Sequence, residues 1–353
     1  MATASGSDKF SVFSESQSVA TAPGSDKSMK YKILSFARQV GLLLLVVWTV
    51  DSFVTLLIEL DPGSPATAML GDQATTEQID NFNKKHGLDK PAFFFSKTDE
   101  GFKWNGADNR YLDYWTGLVQ GDLGTSFRTN RPVSEMILER YPSTIMLALA
   151  SMLVAVSIAV PLGVLAGTNK GKIVDNFSSF VALLGISLPT FVIGPFLVYL
   201  FAVKFQIFAP TGSANPEDIV LPAVTLGAAL SAILTRMIRS SVIEELGEDY
   251  VRTARAKGLS ERKVIYKHVL KNGLIPVVTI LGLQLGVLLA GAIITEKIFN
   301  WQGLGLLLLD DGISKRDYRL VQGCVLVISV TYIIANSVTD LVYRWLDPRI
   351  RIS

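Results

Sequence analysis

Residues 144–166 read TIMLALASMLVAVSIAVPLGVLA and contain no charged side chain in 23 positions. A helix rises 1.5 Å per residue, so about 20 apolar residues cross the roughly 30 Å of hydrocarbon in a bilayer. The blocks 177–203 and 273–294 are also uncharged and of similar length. These three stretches predict transmembrane helices and decide the fold class.

Three more apolar blocks, 33–58, 219–238 and 320–338, extend the pattern over the chain. The composition agrees, because 49% of the residues are hydrophobic and only 18% are charged, which favours lipid over water as the solvent. We therefore predict an all-α integral membrane protein with six transmembrane helices.

Basic residues indicate which side of the membrane each loop faces. Three lysines precede the first block and three arginines follow the last, so both termini are predicted to be cytoplasmic. The net charge of +2 is too small to favour nucleic acid as a partner. The predicted parts are a flexible tail (1–30), a first transmembrane helix (31–60), an extracellular segment (61–142), a transmembrane core (143–343) with a basic cytoplasmic loop (239–272), and a C-terminal tail (344–353).

The sequence offers no motif for catalysis within this chain. Cys324 is the single cysteine, which excludes a disulfide framework and a thiolate-rich metal cluster within the chain. Gly167, Gly171 and Lys172 do not have the spacing of a phosphate-binding Walker A loop. We predict no enzyme activity, no cofactor and no metal site in this chain.

Local signals outside the blocks are few. Thr75 and Gln78 have capping-box spacing before a short helix, and Gly87 can end that helix, so the extracellular segment is predicted to hold a small helical subdomain. Asp51 is an ionisable residue inside the first block. It either lines a translocation path or pairs with a neighbouring helix, and the sequence leaves both interpretations open.

The basic loop contains the most informative pattern. Its acids, Glu244, Glu245, Glu248 and Asp249, precede Arg252, Arg255 and Lys257, with Gly258 next. Acids at the start, bases at the end and a following glycine predict a short helix, and Ser260 then caps a second one. One face of this helix carries little side-chain bulk at i, i+4 spacing, at Tyr250, Ala254 and Gly258. We interpret this face as one that lies in a groove on a partner protein. Charge alone favours another interpretation, a solvated basic loop held at anionic headgroups.

The sequence of this loop also carries a family resemblance. Residues 248–259, EDYVRTARAKGL, resemble the EAA loop of bacterial ABC importer permeases, in the variant of the dipeptide, oligopeptide and nickel permeases. Other stretches are similar to the same family in the same order: 60–66, 121–126, 131–133, 272–282, 296–299, 303–305, 316–318 and 347–349. Trp301 and Gln302 stand where the branch usually has a proline, so the shape of that outer hairpin is left open.

The resemblance implies the type I permease fold of ABC importers and a heteromeric complex in the bacterial inner membrane. The implied partners are a second homologous permease, two ATP-binding subunits that hold ATP and Mg²⁺, an extracellular or periplasmic substrate-binding protein, membrane lipids and di- or oligopeptide cargo. The residues implied in coupling to the ATPases are Glu248, Asp249, Tyr250, Arg252, Ala254, Arg255, Lys257 and Gly258. The residues interpreted as pathway or gating positions are Asp51, Phe299, Trp301, Gly303 and Gly305.

Three other functions compete with a peptide importer. A permease for nickel or a metal chelate shares the fold and most of the motifs. A secondary transporter would use an ion gradient and inverted repeats. A membrane scaffold or receptor would carry no cargo at all.

Overall fold

The computed structural model describes residues 25–346, apart from 62, 72, 99–100 and 214. The chain is mostly helical over this range, as predicted, with one small β-hairpin. Three π-helical segments extend neighbouring helices, at Val198–Lys204, Val264–Val269 and Leu307–Ile313, and a 3-10 turn covers Pro216–Ile219. The elements are α1 (Ser25–Leu60), α2 (Pro65–Leu70), α3 (Thr76–His86), β1 (Phe95–Thr98), β2 (Gly101–Trp104), α4 (Arg110–Val119), α5 (Val133–Thr168), α6 (Ile173–Ser187), α7 (Thr190–Leu197), α8 (Val220–Glu245), α9 (Asp249–Ala256), α10 (Glu261–Lys263), α11 (Leu270–Gly273), α12 (Ile275–Phe299), α13 (Leu304–Leu306) and α14 (Tyr318–Leu346).

The chain divides into two compact units, Met1–Val46 and Val47–Ser353. The first unit contains the first part of α1. The second contains the remainder of α1 and every later element. All contacts discussed below lie within the second unit.

Four helical stretches of the described residues are each long and apolar enough to cross a bilayer alone. They are Gly41–Leu60, Val133–Thr168, Pro216–Glu245 and Tyr318–Thr339. Two bent pairs, Ile173–Ser187 with Thr190–Lys204 and Glu261–Gly273 with Ile275–Leu289, also pass when each pair is taken together. The predicted six spans are reached if each bent pair counts as one.

The block 177–203, which we predicted as one span, is divided into two helices. It turns by 103° between α6 and α7. Pro189 lacks a backbone donor, and the residue before a proline is driven out of the helical region, as Leu188 shows with φ −91° and ψ 118°. The proline therefore breaks the helix completely, whereas Pro161 lies inside the unbroken α5.

The predicted boundaries of the tails also need correction. α1 already begins at Ser25 and α14 continues to Leu346, so residues 25–30 and 344–346 are helical. The rest of the predicted tails, residues 1–24 and 347–353, lies outside the described part of the chain. The fifth span likewise continues as α12 to Phe299, beyond the predicted end at residue 294.

Close approach between helices builds the core of the second unit. A Cβ added to Gly163 or Gly167 of α5 would lie 2.6 to 2.7 Å from Ile238 or Val242 of α8, so only glycine fits there. Gly282 and Gly286 of α12 are as tightly packed against α14. Small residues that let backbones approach are the usual way in which helices associate in lipid.

The segment 61–132 connects α1 to α5 and has a fold of its own. The predicted capping box at Thr75 and Gln78 is present in both directions, and Gly87 ends α3 with φ +66°. The antiparallel hairpin β1–β2 is an addition that the sequence analysis did not predict, with Phe95 opposite Trp104. The segment is thus a helical subdomain with one hairpin.

Candidate functional site

The basic loop begins where α8 ends. Leu246 and Gly247 form the turn after Glu245, and Glu248 has extended dihedral angles (φ −71°, ψ 147°) before α9. Asp249 is the acid in the first turn of α9, where it interacts favourably with the helix dipole. Glu244 and Glu245 instead occupy the last turn of α8, so the first two of the four predicted acids do not belong to α9.

One face of α9 is held by the protein itself. Val251 is fully buried and Ala254 is 7% exposed, in the same apolar cluster as Val242 of α8 and Val264. This corrects our interpretation of Tyr250, Ala254 and Gly258 as an open row. Ala254 faces inward, because the two apolar positions of α9 bury against the ends of the spans.

Tyr250 joins α9 to α8 directly. Its hydroxyl donates a hydrogen bond to the carboxylate of Glu245, and burial together with this bond raises the pKa of Tyr250 to about 12. The phenol is therefore neutral at physiological pH and stays a donor. This bond and the burial of Val251 in the cluster that contains Val242 connect α9 to α8.

The other face of α9 is charged and exposed. Glu248, Asp249, Arg252, Arg255 and Lys257 all lie on the surface. Arg252 is 3.5 Å from Asp249, and Arg255 Nε is 2.7 Å from Oε1 of Glu261 in α10. Exposed pairs of this kind contribute at most about 1 kcal/mol to stability, so little free energy is lost if a partner's charges replace them.

Gly258 ends this helix in the left-handed region, with φ +74°. A Cβ at this position would meet no atom within 4 Å. The backbone conformation, and not crowding, therefore requires glycine here. The residue sets the corner between α9 and α10, as the sequence pattern predicted.

A buried ion pair ties the same region to the next span. Asp175, near the start of α6, is 2% exposed and accepts hydrogen bonds from Arg239 of α8, at 2.5 Å from Nε and 2.9 Å from Nη2. The backbone N–H of Gly171 donates to the same carboxylate at 2.8 Å. The sequence analysis missed this pair, because the partners are 64 residues apart and both resemble ordinary charges at span ends.

Asp51 is paired with another residue in this structure. It is 1% exposed, and its Oδ2 accepts a hydrogen bond of 2.7 Å from the Tyr114 hydroxyl. The partner comes from α4 of the segment 61–132 instead of from a neighbouring span. Asp51 Oδ1 is buried without a hydrogen-bond partner among the described residues.

The predicted gating residues after α12 are packed inside the chain. Phe299 and Trp301 are each 2% exposed, and Trp301 Nε1 donates to the Ser143 carbonyl at 3.0 Å. Gly303 and Gly305 are also buried, and a Cβ on either would overlap the carboxylate of Glu296. In this conformation these four residues shape a turn and do not face an open path.

Glu296 organises that turn, which we call the carboxylate turn (residues 296–306). The side chain is fully buried, its Oε1 accepts from Thr144 Oγ1 at 2.6 Å, and its Oε2 accepts from the Leu306 N–H at 2.9 Å. Thr144 in turn accepts from the Leu304 N–H at 2.7 Å. The sequence analysis noted residues 296–299 as part of the resemblance but assigned Glu296 no role, because Thr144 is 152 positions away.

No group of three or more His, Cys, Asp or Glu side chains is arranged to hold a metal ion among the described residues.

Two family models match the chain. The model for binding-protein-dependent transport system inner membrane components matches residues 159–352, and the model for the N-terminal part of such components matches residues 33–148. The chain belongs to this family. It is a multi-pass inner-membrane permease of an ABC importer, a transport component and not an ATPase, and such a permease works with ATPases, a second permease and a binding protein.

Curated relatives are similar to this chain over most of its length. It is 38% identical over 305 residues to the glutathione transport system permease protein GsiC of Shigella flexneri, and 37% identical over 305 residues to that of Escherichia coli strain K12. Both alignments cover 86% of this chain and 94% of the relative. The GsiC of Salmonella typhimurium is 39% identical over 298 residues, covering 84% of this chain and 92% of the relative.

The fold of the permease is also found among solved structures. Inward-facing conformations of the MetNI methionine ABC transporter match with a TM-score of 0.51 at 15% and 18% identity. The first match covers 60% of this chain and 96% of the solved one, and the second 61% and 97%. The predicted fold and family are thereby confirmed.

Proposed function

We propose that this permease, together with a second homologous permease, forms the pathway of an importer for di- or oligopeptides. The relatives named above are glutathione permeases, and glutathione is a peptide-like molecule. The observation that carries the mechanism is the two-sided α9, with an apolar face fixed in the chain and a charged face open to a partner.

In this proposal α9 is the coupling helix. Two partner ATPases bind ATP and Mg²⁺, and their closure pushes on the exposed face with Arg252, Arg255 and Lys257. The buried Val251 and the bond from Tyr250 to Glu245 pass the push to α8. The ion pair of Arg239 with Asp175 passes it on to α6, whose junction with α7 bends by 103°. Rigid-body motion of packed helices is an established route for such transitions.

The remaining partners follow from this arrangement. With α9 on the cytoplasmic side, both termini are cytoplasmic, and a substrate-binding protein delivers peptide to the opposite face, which carries the segment 61–132. The exposed apolar side chains of the spans, such as Leu153 and Phe180, face membrane lipids or the second permease.

Gly258→Val tests the coupling role, with Gly106→Val as the matched control. The two glycines have nearly the same φ, +74° and +73°, and a Cβ added at either position meets no atom within 4 Å, but Gly106 lies in the segment 61–132, outside the proposed coupling route. In the reconstituted complex, Gly258→Val is expected to reduce cargo-stimulated ATP hydrolysis at least tenfold, whereas Gly106→Val retains most of it. Equal loss in both variants, or normal stimulation in Gly258→Val, contradicts the proposal.

The cargo is tested separately by uptake into proteoliposomes. ATP-dependent accumulation of glutathione or of a tripeptide such as trialanine supports the peptide assignment. Accumulation of a nickel chelate without any peptide uptake assigns the permease to the metal-chelate importers instead.

A further inference from the structure

A small polar cavity lies beside the first turn of α14. Its volume is about 200 Å³, and the residues that line it include Lys85, Tyr114, Asp122, Gly124 and Arg319. They come from α3, α4, the loop before α5 and α14, which lie far apart in the sequence. The proposed function places this cavity on the face where the binding protein delivers cargo.

Arg319 differs from the neighbouring arginines in its bonding. Arg110 is 2.7 Å from Glu59 and Arg316 is 3.5 Å from Asp61, so each has a carboxylate partner. Arg319 lies over the Tyr114 ring at 5.8 Å from its centroid and makes no hydrogen bond or ion pair with any residue in the described part of the chain. A half-buried guanidinium without an acceptor is costly unless a ligand or water supplies one.

The acids that line the cavity are already engaged. Asp113 is 2.8 Å from Lys90, and Asp122 Oδ1 accepts from the Gly124 N–H at 2.8 Å. Lys85 donates to the neutral side chain of Asn130 at 3.2 Å and has no carboxylate within ion-pair distance in the described part of the chain. Two cations that lack a carboxylate partner thus lie at one cavity.

The guanidinium is held in place before any ligand arrives. Gly124 has φ +77°, and a Cβ there would lie 3.5 Å from Arg319 Cδ, so the loop backbone packs directly on the arginine stem. The Tyr114 ring on the other side is fixed by its hydrogen bond to Asp51. A preordered donor loses little conformational entropy on binding, which favours affinity.

We propose that Arg319, assisted by Lys85, binds a carboxylate group in this cavity during transport. Arginine presents paired donors that match a carboxylate. A water molecule in the liquid takes about 30 Å³, so the cavity accepts roughly one amino-acid residue and not a whole tripeptide. The inference rests on the proposed function, since the carboxylate belongs either to the peptide cargo or to an acidic side chain of the binding protein.

The test compares wild type, Arg319→Gln and Arg319→Lys in the full reconstituted complex. Arg128→Gln is the control, because Arg128 is an exposed arginine of the segment 61–132 and already has a carboxylate partner, Asp311. Glutathione uptake gives KM and the maximal rate, and docking of the cargo-free binding protein is measured as a Kd. Arg319→Gln is expected to raise one of these constants about tenfold, Arg319→Lys about threefold, and the control less than twofold.

The two sources of the carboxylate give different patterns. If it belongs to the cargo, KM rises, the docking Kd is unchanged, and the penalty shrinks when glutathione monoethyl ester replaces glutathione. If it belongs to the binding protein, the docking Kd rises and the ester makes no difference. Either pattern supports the site.

Unchanged KM and unchanged docking in an intact Arg319→Gln complex overturn the proposal. If that variant fails to assemble, Lys85→Gln decides, because Lys85 is exposed and its loss does not disturb the core. A rise of about threefold in KM or Kd is then expected, and no change overturns the site. If the wild-type complex transports neither glutathione nor trialanine, the proposed cargo is refuted. The docking Kd of the binding protein then still tests whether Arg319 binds a carboxylate.

Discussion

The basic loop and the carboxylate turn both lie at the ends of spans, and both combine charged residues with glycines. They differ in whether those charged residues are exposed or have buried partners within the chain. The charges of α9 are exposed, and the structure pairs them only weakly among themselves. The carboxylate of Glu296 is fully buried and its hydrogen bonds are internal. The comparison teaches that one end of the permease leaves its charges open to the surroundings, whereas the other end uses its charge to hold its own shape.

The largest effect is expected from removing the centre of the carboxylate turn. Glu296→Ala leaves Thr144 Oγ1 and the Leu306 N–H buried without their acceptor. We expect the free energy of unfolding to fall by about 3 kcal/mol, as for other buried hydrogen-bonded networks that lose a member. Denaturant titration in mixed micelles measures this free energy.

The exposed Glu135 provides a control, Glu135→Ala, which should change the free energy of unfolding by less than about 0.5 kcal/mol. A change in Glu296→Ala as small as in the control means that the turn does not depend on this carboxylate.

An intermediate effect is expected at the ion pair that connects α6 with α8. Asp175→Asn keeps the size of the side chain but removes the charge that Arg239 contacts at 2.5 Å. We expect a loss of about 2 kcal/mol in the free energy of unfolding, since hydrogen bonds to charged groups contribute about 1.5 to 3 kcal/mol. Cargo-stimulated ATP hydrolysis should fall by more than basal hydrolysis. Equal losses of both rates would make the pair structural and not part of the coupling route.

A small effect is expected at the link between α9 and α8. Tyr250→Phe removes only the hydroxyl that donates to Glu245, which should lower the free energy of unfolding by about 1 kcal/mol. The same variant should weaken the coupling of ATP hydrolysis to uptake, measured as peptides imported per ATP. Tyr318→Phe serves as the control, because it removes a tyrosine hydroxyl that donates to a carboxylate, that of Asp61 at 3.0 Å, far from α9, and it should leave that ratio unchanged. A lower ratio in the control alone would place the coupling outside α9.

The sequence predicted what depends on local pattern. Uncharged blocks such as 144–166 became spans, Thr75 and Gln78 form their capping box, and Gly258 has the left-handed backbone that its position required. Pro189 explains why the block 177–203 is interrupted, but the angle of 103° depends on how α6 and α7 pack against other spans.

The contacts that define the sites depend on distant partners. Asp51 meets Tyr114 at a separation of 63 residues, and Glu296 meets Thr144 at 152. No periodicity or spacing in one sequence indicates such pairs. This is why the interpretation of Asp51 stayed open, and why Ala254 was assigned to the wrong face of α9.

The central claim is that the exposed face of α9 docks on an ATPase, and crosslinking tests it most directly. The native Cys324 is buried, so a cysteine added at the exposed positions Thr253 or Ala256 is the reactive one in the assembled complex. A maleimide–succinimide reagent is expected to join Thr253→Cys and Ala256→Cys to the ATPase, and not Glu217→Cys on the opposite side. Absence of the ATPase product from both α9 positions, in a complex that still imports peptide, contradicts the account.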